Sequence, residues 1–196
     1  MTTISPVLSV IIPTIGRPSL ASSIKSFDGQ LGLLDEVIVI SDGPNPDIRC
    51  LVESAGGRYS YLETPVRMYD WGATPRNIGM TQAHGEYLIF MDDDDTYLPG
   101  ALATIRRGVI ESPRTPIVFR MKHRGRIIWE KPELKPGNVS SQMFAIPNIK
   151  GLVGHWTSRY AGDFDFIKHT VDLHQGRVIF RREVIAELVQ AAEGAP

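Results

Sequence analysis

The feature that most limits the folds open to this chain is a series of short apolar runs, each ended by a turn and followed by a helix-compatible stretch. "VLSVII" (7–12) meets "PTIGRP", whose Pro and Gly residues end a strand, and "SLASSIKSF" then reads as a helix with Ser19 near its cap. "EVIVIS" closes on Asp42 and a turn-forming cluster, after which "DIRCLVES" reads as a short helix and "RYSYLE" as a strand. "TPRNIGMTQAH" reads as a helix capped by Thr74 with Pro75 in its first turn, "GEYLIFM" as a buried strand, and "LPGALATIRRGVIE" as another helix starting near Pro99. Strands that are apolar at nearly every position are covered on both faces, and their alternation with helices predicts an α/β fold with a mostly parallel sheet between helical layers.

Beyond Ser112 the pattern changes. "PIVFRMKHRGRIIWE" predicts two antiparallel strands around a turn at Arg124-Gly125, and "KPELKPGN" a loop. "DFDFIKHTVDLHQG" is amphipathic, with Phe166, Val171 and Leu173 among its apolar positions; "RVIF" follows as a strand and "RREVIAELVQAAEG" as a terminal helix. A chain of 196 residues that is 42% hydrophobic can enclose one good core, so a single domain over 1–196 is expected.

Charge and cysteine content narrow the partners. A formal net charge of -1 gives no global field to recruit nucleic acid or an anionic membrane, so no nucleic-acid partner is expected. No apolar stretch approaches the roughly 20 residues of a membrane span. The lone Cys50 cannot form an internal disulfide and the opening segment lacks the pattern of a secretion signal, which together predict a cytoplasmic protein.

"LIFMDDDDTYLPG" (88–100) carries the strongest chemical signal. Asp92 to Asp95 directly follow a buried strand, where open α/β sheets place their ligand crevice. Carboxylates this close must be solvated, share protons or surround a cation. Mg²⁺ or Mn²⁺ suits hard oxygen donors and keeps positions open for substrate phosphates. A solvated turn that caps the next helix is the plainer reading, and for Asp95 or Thr96 it is the expected one.

These residues resemble the inverting, family 2 type of nucleotide-sugar glycosyltransferase with the Rossmann-like GT-A fold. The resemblance rests on "VIIPTIGRP", "VIVISDG", "ATPRNIGMTQAHGEYLIFMDDDD" and "YLPGAL", which stand in the family's order and cover residues 7–112 well and the remainder loosely. It implies a nucleotide-binding half at 1–112 and an acceptor-side half at 113–196, with a smaller antiparallel part in the second. It implies a hexosyltransferase-like enzyme that draws on a UDP- or GDP-sugar, with the acceptor unknown and a homodimer left open. The DXD motif falls on Asp92 and Asp94 with Asp93 between them. Asp94 is then the direct metal ligand, Asp92 serves the metal or the ribose, and Asp93 counts with the nucleotide contacts. Pro13, Thr14 and Asp42 line the nucleobase pocket; Arg17 and Arg76 approach the phosphates or the base. Asn77 reads equally well as a structural hydrogen-bonding residue.

The resemblance also places the catalytic base at Asp163 in "AGDFDF", where Gly162 stands in place of the family's usual Glu. An N-cap for the helix that follows is the alternative role for Asp163. A late histidine, His174, is a candidate to complete a metal shell, with His155 and His169 as competitors, although a lone histidine is more often a packed or helix-end residue. Trp156 and Tyr160 could form a platform for a sugar ring, and core packing of the Trp is equally compatible with its setting. Lys122, Arg124 and Arg126 read best as a charge-protected sheet edge. Larger members of the family commonly carry a membrane-docking helix beyond the point corresponding to residue 196, and without it the expected acceptor is a small soluble molecule or a partner protein. Two other classes compete. A nucleotidyltransferase would present a Gly-rich, basic loop where "PTIGRPS" has one Gly and one Arg, and a non-catalytic nucleotide-sugar binder would show no turnover.

Overall fold

The computed structural model describes residues 7–160 and 162–188. The first strand, β1 (Leu8–Thr14), is buried at every position, so its β-branched side chains pack on both sides of the sheet. It is followed by α1 (Leu20–Lys25), β2 (Glu36–Ser41), α2 (Pro46–Ser54), β3 (Tyr59–Glu63), α3 (Ala73–Gln82) and β4 (Tyr87–Phe90). β1 pairs in parallel with β2 on one side and with β4 on the other, and β2 pairs in parallel with β3. The chain therefore runs outward from β1 to β3 and then returns to the far side of β1. This reversal opens a crevice beyond the C-terminal ends of β1 and β4.

The rest of the chain extends the same sheet. β5 (Asp95–Tyr97), α4 (Ala101–Glu111), β6 (Ile117–His123), β7 (Arg126–Ile128), β8 (Phe144–Pro147), α5 (Gly162–Leu173) and β9 (Ile179–Leu188) complete the order. Among the described residues the strands run β3-β2-β1-β4-β8-β6-β9-β5, with β7 paired to β6. β8 is antiparallel to β4 and to β6, β7 is antiparallel to β6, and β5 is antiparallel to β9. The expected hairpin is present: Arg124 and Gly125 both have positive φ, 48° and 75°, which is the twist that a two-residue turn between antiparallel strands requires.

Three expectations are corrected. The predicted terminal helix is strand over 181–188, and its remainder, 189–194, lies outside the described residues. "RREVIAEL" is rich in good helix formers, but β9 fills the gap between β6 and β5, and sheet pairing outweighs local preference. Its charges are accommodated by pairing, since Arg181 bonds Glu111 at 2.5 Å and Glu183 at 3.1 Å. Thr74 does not cap α3; Gly72 occupies that position with φ 75°, and the Asp70 carboxylate accepts from the Thr74 N–H at 2.8 Å. Neither Asp95 nor Thr96 caps α4, whose first residue follows Gly100; both belong to β5.

Candidate active site

The crevice at the strand ends opens into a cleft of about 840 Å³. Pro13, Thr14, Arg17, Asp42, Arg76, Asp92, Asp93, Asp94 and Asp163 all line it, so the expected nucleotide, metal and base positions share one cavity.

The four aspartates divide into two groups with different tasks. Asp93 turns toward β1: its carboxylate accepts from the Thr14 hydroxyl at 2.7 Å, the Ile15 N–H at 3.2 Å and Arg17 Nη1 at 2.6 Å. Those three donors tie the loop after β1 to the segment that follows β4. Asp92, Asp94 and Asp95 offer carboxylate oxygens that all lie within 4.8 Å of one another, and Asp94 also lies 3.4 Å from Arg17 Nη1. Asp95 was expected to cap a helix; it is instead fully buried in this cluster. Burial, followed by the charges of Asp92 and Asp94, pushes its carboxyl up to about 8, and its Oδ1 has no hydrogen-bond partner. The Asp94 carboxyl is also raised by burial, with Arg17 opposing the shift. A buried carboxylate oxygen without a donor, beside two further acids, fits a divalent cation: the ion would supply the missing partner and neutralise the repulsion.

Two side chains from other elements reach these acids. Arg76, on the first turn of α3, donates to Asp92 Oδ1 at 2.5 Å and to the Trp71 carbonyl at 2.9 Å, and its guanidinium lies 4.5 Å from the Trp156 ring centroid. It is buried rather than being a surface helix charge. Gln142 lies in the short 3₁₀ turn Ser141–Met143 before β8, and its amide donates to Asp92 Oδ2 at 2.8 Å and Asp95 Oδ2 at 2.5 Å. Sequence reasoning missed Gln142, because nothing in "NVSSQMF" distinguishes a glutamine aimed at a cluster some fifty residues earlier in the chain.

Asp163 sits in the first turn of α5 and accepts from the Ser140 hydroxyl at 2.7 Å and the Ser141 N–H at 3.2 Å. Burial and the nearby Asp92 raise its carboxyl, against the opposing influence of Arg76 and the serine bonds. Ser140 also lies 2.5 Å from Gln142 Oε1, so one serine links the environment of Asp163 to that of the acid cluster. Asp42 closes the opposite end of the cleft, where its oxygens accept from the backbone N–H groups of Met68 at 2.7 Å and Tyr69 at 3.3 Å.

Other candidates lie elsewhere. His174 is buried, does not line the cleft and is not part of the acid cluster. His169 is exposed on α5, and His155 bonds Asn77. Asn77 is structural: its amide pairs with both the N–H and the carbonyl of Trp156, at 3.1 and 3.0 Å. Trp156 is not a sugar platform. It is buried and stacked on Phe166 with centroids 4.4 Å apart, so only Tyr160 of that pair reaches the cleft.

A parallel sheet with a sequence reversal beside β1, acids clustered at the end of β4 and an antiparallel extension is the architecture of GT-A proteins. The chain belongs to glycosyl transferase family 2, whose family model matches residues 9–189. It is 37% identical over 105 residues to the GalNAc(5)-diNAcBac-PP-undecaprenol beta-1,3-glucosyltransferase of Campylobacter jejuni, an alignment covering 51% of this chain and 33% of that protein. It is 25% identical over 152 residues to a glycosyltransferase of Haemophilus influenzae, covering 74% of this chain and 50% of the relative. The chain thus spans half or less of the length of these relatives. Among solved structures, residues 1–349 of S. aureus TarS superpose with a TM-score of 0.75 at 19% identity over 93% of this chain and 60% of that one, which bears on the fold. The same TarS segment in complex with UDP-GlcNAc gives 0.74 at 18% identity, covering 95% and 59% of the two chains.

Proposed function

We propose that this chain is the catalytic domain of a metal-dependent glycosyltransferase that moves a sugar from a nucleoside-diphosphate donor to an acceptor hydroxyl with inversion. The observation that carries this reading is the trio Asp92, Asp94 and Asp95, with oxygens within 4.8 Å, opening into the same cleft as Asp42 and Asp163. Crystallised TarS holds UDP and UDP-GlcNAc, which favours a uridine donor here. Pro13, Thr14 and Asp42 would border the nucleobase, and Arg17 and Arg76 would face the phosphates.

Asp92, Asp94 and Asp95 would hold a Mn²⁺ or Mg²⁺ ion, which when bound takes up charge that develops on the departing diphosphate. Asp163 would take the proton of the acceptor hydroxyl as its oxygen bonds to the anomeric carbon. The bond from that carbon to the phosphate oxygen breaks and its electron pair leaves with the diphosphate. A carboxylate whose proton affinity is raised by burial is a better base than an exposed one, provided it is ionised when the acceptor arrives. Among the described residues no helix is long and apolar enough to cross a membrane.

The test is a thermal-shift panel of uridine and guanosine diphosphates and their sugars, with and without Mn²⁺, because a ligand bound only by the folded state must raise its apparent stability. The expected result is a shift with a uridine diphosphate that grows with Mn²⁺ and loses its Mn²⁺-dependent part in Asp94→Ala. Release of pyrophosphate from a nucleoside triphosphate, or binding without transfer or hydrolysis of any sugar donor, would overturn the assignment.

A further inference from the structure

Two large aromatic side chains stand in water at the mouth of the cleft, Trp71 at 66% and Tyr160 at 85% exposure. They come from opposite walls. Trp71 lies in the loop that leads into α3, two residues before its first residue, and Tyr160 lies just ahead of α5. Their rings meet edge to face, with centroids 5.2 Å apart and planes at 79°, making an open aromatic corner across the entrance.

The loop bearing Trp71 is held in an unusual conformation. Tyr69 and Trp71 have φ of 56° and 60°, a left-handed region that bulky side chains avoid. The conformation is enforced from below. Asp42 accepts from the N–H groups of Met68 and Tyr69, Asp70 accepts from Thr74 N–H, and Arg76 donates to the Trp71 carbonyl. Gly72 completes the turn, where a Cβ would come within 2.7 Å of Arg76 Nη1. Backbone kept in a disfavoured region and large apolar rings kept in solvent are both features that mark ligand sites.

We propose that Trp71 and Tyr160 form the acceptor subsite and that its ligand is a saccharide ring. This deepens the function proposed above and rests on it for the word acceptor. The position follows from the chain: α3 brings Arg76 to the acid cluster, and α5 brings Asp163 to the other side of the cleft. Tyr160 stands just ahead of that helix, so a ring held on the Trp71–Tyr160 corner would present its hydroxyls to the cleft that Asp163 also lines. The chemistry follows from the surroundings. A pyranose offers C–H faces that lie on aromatic rings and hydroxyls that suit polar groups, and Arg67, His123 and Asp163 line the same cleft as the two rings. A lipid chain would offer the polar groups of this cleft no further hydrogen bond.

Tryptophan emission reads the corner directly, because Trp129 and Trp156 are 2% and 3% exposed and Trp71 is the exposed one of the three. The full chain, with and without UDP and Mn²⁺, is titrated with methyl glycosides of glucose, galactose and N-acetylglucosamine, with lactose and chitobiose, and with dihexanoyl phosphatidylcholine. The expected result is a saturable change with at least one saccharide. It is weakened by about ten-fold or more in Tyr160→Ala and close to wild type in Tyr160→Phe; in Trp71→Ala, which removes the reporter, saccharide affinity read by calorimetry falls by about ten-fold or more, with UDP affinity changed less than about two-fold. No response to any saccharide, a response to the lipid alone, or a parallel loss of UDP affinity in Trp71→Ala and Tyr160→Ala would overturn the proposal, the last by assigning the corner to the nucleotide. Because the readout is binding, a chain that binds sugars but transfers none separates failure of the catalytic reading from failure of this one.

Discussion

The single residue with the largest consequence is Asp95. Its carboxyl is raised from the ordinary 3.8 to about 8 in the folded protein, so without metal the folded state holds a proton that the unfolded chain releases. The resulting stabilisation is complete below about pH 4 and declines as pH rises through about 8. A metal-free sample should accordingly show a falling melting temperature across that window, and Asp95→Asn, which needs no proton to be neutral, should flatten the decline. Asp94 and Asp163 shift in the same direction and would leave a residual slope. A cation competes with that proton, so added Mg²⁺ should raise the melting temperature more at pH 8 than at pH 6. Calorimetric scans of both proteins at a series of pH values check all of this; a melting temperature that rises steadily from pH 4 to 8 would contradict it. Arg76 carries a second prediction. Its fork joins Asp92 to the Trp71 carbonyl while its plane covers Trp156, and a lysine cannot do all three. Arg76→Lys should cost about 1–3 kcal/mol in urea unfolding and weaken UDP binding in the presence of Mn²⁺. At this scale the sequence was informative about which residues gather, since acids after a buried strand have few other places to be. It was less informative about partners: which of the four aspartates gather their oxygens into one cluster and which bonds the loop after β1 depends on the turn between β4 and β5, and no run of four identical letters encodes that.

Elements explain why the site holds its shape. α3 must approach β1 and β2 closely enough for Arg76 to reach Asp92, and Gly79 permits that approach. A Cβ there would lie 2.6 Å from Ile11 Cγ2 and 2.8 Å from Ile40 Cδ1. Alanine is favoured over glycine within a helix by about 1 kcal/mol, yet here the clash should win. Gly79→Ala is expected to lower stability by about 1–3 kcal/mol and to reduce nucleotide affinity by displacing Arg76. Equilibrium unfolding and calorimetry decide it, and a stabilised variant would show that α3 can shift without loss. The same scale shows where sequence reading stops. β1, β2 and β4 were legible because central parallel strands are apolar throughout, a pattern set by burial on both faces. β9 was not, because Arg181, Arg182, Glu183 and Glu187 make the segment look like a solvated helix, and its strand state depends on two partners distant in sequence, β6 and β5. Trp156 posed a similar problem: an aromatic beside a histidine is equally at home in a core or a cleft until Phe90 and Phe166 are known to surround it.

At the scale of the whole molecule, the two halves that the family resemblance separates at residue 112 share one sheet. β4, which the acids follow, is flanked by β1 on one side and by β8 on the other, and among the described residues β5, which contains Asp95, pairs with β9 alone, where Asp95 stands opposite Leu188. Asp95 is therefore held by a strand of the second half, and Gln142, which touches Asp92 and Asp95, comes from the second half too. A fragment ending at residue 112 would expose the edge of β4, whose four residues are all buried, and would leave β5 without a neighbour. Such an edge is a template for association with other chains, and an isolated three-residue strand has no independent stability. The expected outcome is that residues 1–112 aggregate or remain uncooperative in urea, while the 196-residue chain loses its far-ultraviolet and tryptophan signals in one coincident transition. A soluble fragment that unfolds cooperatively and still binds UDP with Mn²⁺ would show instead that the nucleotide site needs only the parallel part of the sheet, and that Gln142, β8 and β9 serve the acceptor side alone.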